Sequence, residues 1–406
     1  MNFFRKAYCR TYQKILACAS YLIPFPEPTL VEGEGAIYQV VPLLKKKEKY
    51  HPLIVTGPTI SSLGMQKPLI ESLNDEGLSF SFFDRVLPNP TFAMVEEAYK
   101  IYKDEGCDSI IALGGGSSMD AAKAIGVKVV HPNKSLSSFK RVLSVGKKIP
   151  FFVAIPTTAG TGSEATACAV VVNEKTHDKF SITDTHLIPD VAVLDSSLLI
   201  GLPKKTIAAT GMDTLTHAIE AYIGHSSTRK TNEYALTAIK LVKDNLVDFY
   251  EDSNNGKARR NMQKAAYLAG VSFTRAYVGY VHALAHALGG LYNVSHGFAN
   301  AVLLPYVLEA YGKSAYDRLA EICDDLSLID PLSEKEDKAK AVIAWIKEMN
   351  KTMGIPSRFE NLIKNEADLE ALSRHADKEG NPFYPVPKEL NKEELKAIYL
   401  KADETK

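Results

Sequence analysis

The rhythm of apolar and polar residues changes about halfway along the chain. In the first half, short apolar runs alternate with helix-period stretches: Leu53-Ile-Val-Thr56 reads as a strand, Lys67 to Glu76 as a helix, Leu78 to Phe83 as a strand and Phe92 to Glu105 as a helix. Ser109 to Leu113 is an apolar run closed by Gly114-Gly-Gly-Ser-Ser-Met-Asp, a helix is expected over Ala121 to Val127, and Phe151 to Ile155 repeats the strand pattern. Such alternation predicts an α/β domain whose mainly parallel sheet is covered by helices. Beyond Pro203 strand signals almost vanish and long Ala, Leu, Lys and Glu stretches predict an all-helical domain. The expected division is an N-terminal extension over 1–28, the α/β domain over 29–199 and the all-α domain over 200–406.

The extension has its own pattern. Phe3, Phe4, Ala7, Tyr8, Tyr12, Ile15, Leu16 and Ala19 recur at helical spacing while Arg5, Lys6, Arg10 and Lys14 project elsewhere, which makes an amphipathic helix ending before Pro24 and Pro26. Its apolar run from Ile15 to Ile23 is short for a secretory signal and is interrupted by Tyr21. Docking onto the protein's own surface is the expectation, with a membrane surface or partner, or a targeting role, as alternatives. No later stretch approaches the ~20 apolar residues of a membrane span.

Composition narrows the class. With 406 residues, 46% of them hydrophobic, the chain can build two sizeable cores. Lys+Arg and Asp+Glu both number 48, so no charge excess points to nucleic acid or an acidic surface. The five cysteines form no CxxC pair, which argues against a disulfide framework or a thiolate zinc site and for a reducing cytoplasm.

The histidines carry the candidate chemistry. Three of the ten stand in Gly279 to Gly297, reading GYVHALAHALGGLYNVSHG. His282 and His286 are four apart among good helix formers and should leave one helix face a turn apart. Gly289 and Gly290 are expected to end that helix, and Leu291 to Ser295 to bring His296 back to it. Each of these histidines has an ordinary alternative as a hydrogen-bonded core residue. A second pair, Asp213 and His217 in GMDTLTHAIEAY, is also four apart on a helical stretch, and two such helices can enclose one divalent ion. In the first half, Gly114, Gly115 and Gly116 lie between a buried strand and a helix N-terminus, where bare N–H groups can hold a phosphate or merely make a tight turn. Pro156-Thr-Thr-Ala-Gly-Thr-Gly-Ser-Glu164 suits a second wall of a dinucleotide groove, or a helix cap.

GGGSSMDAAKAIG at 114–126, PTTAGTGSE at 156–164, GMDTLTHAIEAY at 211–222 and the 279–297 stretch together resemble the successive signatures of the iron-containing alcohol dehydrogenase family, in order, from about Val31 to the C-terminal region. The resemblance implies a nucleotide-binding α/β domain, a helical metal-binding domain, a cleft between them, and reversible NAD(P)-linked interconversion of alcohols with aldehydes or ketones. It makes Asp213, His217, His282 and His296 the ligands of one divalent metal, usually Fe²⁺ and sometimes Zn²⁺, and places His286 beside substrate and nicotinamide. It maps Gly114, Gly115, Gly116 and Ser117 onto pyrophosphate contacts, Thr157, Thr158 and Thr161 onto the second wall, Asn89 and Lys179 near adenosine and ribose, and Leu198 over the adenine side. Asp120 is expected only to cap the helix after the glycine loop. The resemblance also implies a homo-oligomer, with a dimer as the expectation.

One departure bears on the cofactor. Many NAD-using members have aspartate where this chain has Gly57, and a carboxylate there would repel a 2′-phosphate. Gly57 removes that repulsion, and Thr56, Thr59 and Ser61 offer hydroxyls, so NADP(H) is favoured slightly over NAD(H). Milder departures are Ser295, where a proline is common, and Tyr306, where some members have histidine. Phe273, Tyr277 and Tyr292 are either cleft or core residues. Two other classes stay open at this point: a metal-dependent lyase or hydrolase on the same fold, and a non-catalytic metal- or nucleotide-binding protein.

Overall fold

The structure is a computed structural model that describes residues 3–404 apart from residue 177. The chain divides into two compact units, one formed by residues 25–201 and the other by 1–24 together with 202–406. The first helix, α1 (Phe3–Leu22), therefore belongs with the C-terminal half.

The unit over 25–201 is built on six parallel strands: β1 (Thr29–Glu32), β2 (Pro52–Val55), β3 (Ser81–Phe83), β4 (Ser109–Gly114), β5 (Phe151–Pro156) and β8 (Val191–Leu194). Their order in the sheet is β1-β8-β5-β4-β2-β3. Helices α2 (Val40–Lys46), α3 (Pro58–Ser62), α4 (Lys67–Asp75), α5 (Phe92–Asp104) and α6 (Gly116–Val130) connect them, as parallel pairing requires. The strands are continuous apolar runs because both faces are covered. Leu53, Val55, Ile110, Ala112, Phe152 and Ala154 join the core that includes Val95, Ala98, Ala121 and Ile125 of α5 and α6. The alternate residues Ile54, Ile111 and Val153 are fully buried too and must point the other way. Beside this sheet lies an antiparallel hairpin, β6 (Cys168–Asn173) with β7 (Asp178–Thr183), which the apolar pattern did not announce.

Two sequence expectations need adjustment here. The strand expected over 78–83 forms only at Ser81–Phe83, and the helix expected from Ala121 begins five residues earlier, inside the glycine loop at Gly116.

The other unit is a bundle of α7 (Lys204–Ile223), α8 (Arg229–Glu251), α9 (Gly256–Ala276), α10 (Tyr280–Tyr292), α11 (His296–Tyr311), α12 (Tyr316–Leu326), α13 (Lys335–Thr352), α14 (Glu366–Gly380) and α15 (Lys392–Ala402). Its one departure from the all-helical expectation, among the described residues, is the two-residue parallel pair β9 (Phe359–Glu360) and β10 (Asp403–Glu404). Helix α7 packs against α8, α9 and α11, and from Gly211 to Ile223 every residue is buried. Gly289 and Gly290 do not end α10: the helix runs on to Tyr292 and stops at Asn293, which takes the left-handed conformation at φ 53° and ψ 34°. Packing against α11 and α14 outweighs the intrinsic helix cost of two glycines. No helix among the described residues is long and apolar enough to cross a membrane.

Lys123 of α6 is completely buried, and its Nζ lies within 3.1 Å of five oxygens, those of the Ser163, Thr166 and Cys168 carbonyls and the Ser163 and Thr166 hydroxyls. Burial lowers the pKa of this ammonium, and the neighbouring carboxylates Asp120 and Glu164 work in the opposite direction. Lys123→Met should remove the ammonium serving these oxygens and cost about 3 kcal/mol, since stranding buried polar and charged partners is strongly destabilising. Scanning calorimetry should show the unit's thermal midpoint lowered by about 6–12 °C. A midpoint within about 2 °C of the parent's would contradict this account.

Candidate metal centre and nucleotide loops

Asp213 and His217 leave α7 a turn apart, His282 leaves the first turn of α10, and His296 is the first residue of α11. The ligand-type atoms of these four residues all lie within 4.8 Å of one another. His217 Nδ1 is 4.0 Å and His296 Nε2 3.5 Å from Asp213 Oδ1. The rings of His217 and His282 are 4.6 Å apart, and Phe273 stacks on His217 at 4.2 Å. Phe273 is thus a wall of the cluster, whereas Tyr292 donates to Asp368 and Tyr306 to the Ser357 carbonyl. Ser295 precedes α11 without a capping side-chain bond.

Three residues absent from the sequence expectation complete the surroundings. Glu220, on α7, receives His282 Nδ1 at 2.5 Å and the Val281 N–H at 2.8 Å. That contact puts the proton of His282 on Nδ1 and turns the Nε2 lone pair toward the cluster, as second-layer carboxylates do for metal-binding histidines. Asn300, one turn into α11, donates Nδ2 to Asp213 Oδ1 at 2.7 Å and lies 3.4 Å from His282 Nε2 and 3.2 Å from His296 Nε2. Its Oδ1 is buried and has no hydrogen-bond partner. Glu379, on α14, holds His286 Nδ1 at 2.7 Å and also accepts from the Tyr384 hydroxyl at 2.7 Å. Glu220 lies seven residues after Asp213 and three after His217, so its place on the same helix face was readable; Glu379 had no such signal.

The electrostatics fit a cation. Burial raises the Asp213 carboxyl to about 7, against the lowering effect of the Asn300 amide, and burial likewise raises Glu220 to about 7. His282 is pushed well below its ordinary value by burial and by its neighbour His286. Acceptor lone pairs from a carboxylate and imidazoles converge where Asp213, His217 and His282 are buried and His296 is partly exposed, with one amide donor among them. A divalent ion is the group that such a donor set lacks. His286 stands outside the four: its ring stacks on His296 at 5.0 Å and is partly exposed. For Glu379, burial pushes upward, but the neighbouring His286 and the bonds from His286, His375 and Tyr384 prevail and hold it below the usual carboxylate range.

In the unit over 25–201, the C-terminal ends of the neighbouring strands β4 and β5 present the two glycine- and threonine-bearing loops side by side. Thr157 N–H donates to the Gly114 carbonyl at 3.0 Å. A Cβ at Gly115 would lie 3.7 Å from Thr158, and one at Gly116 only 2.9 Å from Thr161. Glycine keeps backbone N–H groups at the start of α6 bare and reachable, with Ser117 in the same first turn. Asp120 is not a cap: it is partly buried, accepts from the Ser163 hydroxyl at 3.1 Å and the Val170 N–H at 3.2 Å, and so ties α6 to the second loop and to β6. Lys179 Nζ donates to Asn89 Oδ1 at 2.7 Å, joining two expected adenosine-side residues, and Asn89 has φ 58°, a conformation asparagine tolerates. Leu198 is buried in a short turn capped by Asp195.

At the end of β2 the picture changes in detail. Thr56 is buried and donates to the Leu113 carbonyl at 2.6 Å, so its hydroxyl is committed to the sheet. Thr59 is exposed, and Ser61 donates to Asp84 at 3.1 Å. Gly57 has ordinary extended backbone, but a Cβ there would meet the Val86 carbonyl at 2.8 Å.

Comparison with known proteins agrees with both halves. Residues 27–196 match the iron-containing alcohol dehydrogenase family, and residues 207–402 match the C-terminal part of the Fe-containing alcohol dehydrogenase family. The chain is 39% identical to alcohol dehydrogenase 4 of Saccharomyces cerevisiae (strain YJM789) over 92% of its own length and 96% of the yeast protein's. It is 35% identical to the NAD-dependent methanol dehydrogenase of Bacillus methanolicus, covering 87% and 92% of the two chains. The crystal structure of a 1,3-propanediol oxidoreductase superposes with a TM-score of 0.89 at 35% identity, over 94% of this chain and 100% of that one. The matches span both units and nearly the full length of each relative, and the chain therefore belongs to the iron-containing alcohol dehydrogenase family.

Proposed function

We infer that the protein transfers hydride reversibly between a nicotinamide and a small alcohol or its aldehyde or ketone, with a divalent metal held by Asp213, His217, His282 and His296. The observation that carries this reading is the convergence of those four donors from three helices within 4.8 Å. A divalent cation, Fe²⁺ in the first instance and Zn²⁺ as the alternative, supplies Lewis acidity that lowers the pKa of an alcohol oxygen. The nicotinamide supplies the hydride acceptor or donor.

The chain's own residues do the rest. Asp213 contributes the one formal negative charge among the four donors. Glu220 fixes the tautomer of His282 through Nδ1. His286, whose Nδ1 is engaged by Glu379, keeps Nε2 for taking the alcohol proton and passing it on. Gly114 to Ser117, with Thr157, Thr158 and Thr161 opposite, bind the pyrophosphate, and Asn89, Lys179 and Leu198 border the adenosine. Five free thiols suit a reducing, cytoplasmic setting.

For the second phosphate we propose NADP(H), because Gly57 brings no carboxylate to the ribose side and Thr59 offers a free-standing hydroxyl. One observation favours the other reading: Asp84, bonded to Ser61, is a carboxylate in the same neighbourhood and would repel a 2′-phosphate.

Three outcomes test this reading. Asp213→Ala, purified without oxygen, should lose bound metal by elemental analysis together with at least about 100-fold of its aldehyde-dependent NAD(P)H oxidation, as expected when a metal ligand is removed. A variant that kept full metal and turnover would remove the centre from the mechanism. His286→Ala should keep its metal and lose about 10²-fold in kcat, the usual worth of a positioned proton-transfer group. Unchanged activity across the pH range would take His286 out of the reaction. Gly57→Asp must shift backbone to clear Val86, so the telling quantity is a ratio: kcat/KM for NADPH over that for NADH should fall by at least about tenfold, whatever the absolute rates. A ratio already below one in the parent, or unmoved by the substitution, decides for NAD(H).

A further inference from the structure

Helix α1 lies outside both stretches that match the family, 27–196 and 207–402. Yet three polar side chains of α1 engage the end of α14 and the segment between α14 and α15. Arg5 Nη2 donates to both oxygens of Asp377 at 2.8 and 2.7 Å. Arg10 donates to the Val386 carbonyl at 2.7 Å and the Pro387 carbonyl at 2.8 Å, and its Nε pairs with the buried Glu389. Gln13, itself buried, donates to the Tyr384 carbonyl at 2.8 Å. Arg5, Cys9 and Gln13 repeat every four residues, so they form one stripe, and Cys9 in its middle is 1% exposed.

The segment served by this stripe has no regular structure of its own from Asn381 to Asn391. Pro382, Pro385 and Pro387 lack N–H groups and cannot join a ladder. Carbonyls that would elsewhere be paired within a helix or sheet are here paired by side chains of α1. The same segment carries Tyr384, whose hydroxyl donates to Glu379 Oε1 at 2.7 Å, the oxygen that also holds His286 Nδ1 at 2.7 Å. Gln13 thus holds the backbone of Tyr384, and the side chain of Tyr384 links by hydrogen bonds through Glu379 to His286.

We propose that α1 is a positioning element of the active site: it holds segment 381–390 in the arrangement in which Tyr384 and Glu379 orient His286. The proposal rests on the reading of His286 as the proton-transfer group. Arg5, Arg10 and Gln13 touch neither substrate nor cofactor in this account; they act through Tyr384 and Glu379.

The test uses the full-length, metal-loaded enzyme carrying Arg10→Met, with Gln13→Leu as a milder second variant should the first fold poorly. Undocking of α1 is read without turnover, by the alkylation rate of Cys9 with iodoacetamide followed by mass spectrometry and by amide hydrogen exchange over 379–390. Both should rise by at least about tenfold, because opening of a protected region sets such rates. In the same variants kcat should fall by about tenfold with the nicotinamide KM within about twofold of the parent's, the pattern of an interaction that matters after binding. Combined with His286→Ala, either substitution should cost less than about twofold more, since coupled residues are not additive. Arg10→Lys should recover part of the rate. Faster alkylation with unchanged kcat, or an equal loss of rate with and without His286, would reduce α1 to a purely structural role and overturn the proposal. His286→Ala alone separates the two ideas: full activity in that variant defeats the proton-transfer reading itself, whereas a slow His286→Ala beside a fully active Arg10→Met defeats only the positioning role.

Discussion

A helix buried on every face cannot carry two carboxylates unless each is met by charge or by a dense set of donors, and α7 carries Asp213 and Glu220 within its buried stretch. The arrangement of the helical unit follows from how each is met. Glu220 is met by the amino end of α10, through the Val281 N–H, and by His282. Asp213 is met by the amino end of α11, through Asn300, and by the imidazoles around it. Two helix starts are thus drawn to one buried helix for electrostatic reasons, and the donor cluster is what results where they meet. Burial raises the Asp213 carboxyl to about 7 even with the Asn300 amide lowering it, so a charged Asp213 at this depth is costly without a further positive partner.

Much of this was legible in the amino-acid order because the spacing of four residues has one meaning on a helix. Asp213 with His217, and His282 with His286, were placed on common faces by that spacing alone, and the parallel sheet followed from unbroken apolar runs. What escaped reading depended on contacts distant in sequence. Glu379 reaches His286 across ninety-three positions, and nothing near either residue marks the pairing. Asp120 looked like a first-turn cap because its partners, Ser163 and Val170, arrive from the loop after β5 and from strand β6. The glycine pair at 289 and 290 misled for the opposite reason: a strong local signal was overridden by packing, and an asparagine three residues on ended the helix instead.

The unit over 25–201 solves a different problem, that of keeping backbone N–H groups free at the ends of β4 and β5 without letting two loops drift. Small residues keep the space open, and Lys123 with Asp120 fastens the loops from behind. Support and opening are provided by different side chains on the same helix. Substitutions at the glycines and at Lys123 should therefore differ in kind, the former obstructing a ligand and the latter loosening the frame. The cluster of Asp213, His217, His282 and His296 is arranged in a comparable way, with Glu220, Asn300 and Phe273 standing behind residues that face it.

Placing His296 at the very first position of α11 has an effect on what kind of hold the centre exerts. The start of a helix carries a fractional positive charge of roughly half an electron, so it opposes a cation rather than attracting one. Against a doubly charged ion there stands a single carboxylate among the donors. In the proposed centre, retention would rest mainly on the fixed spacing of imidazole nitrogens, a matter of fit more than of field. Ionic strength should accordingly be a feeble means of stripping the ion, while a small chelator presenting nitrogen atoms at matching separations competes on the protein's own terms.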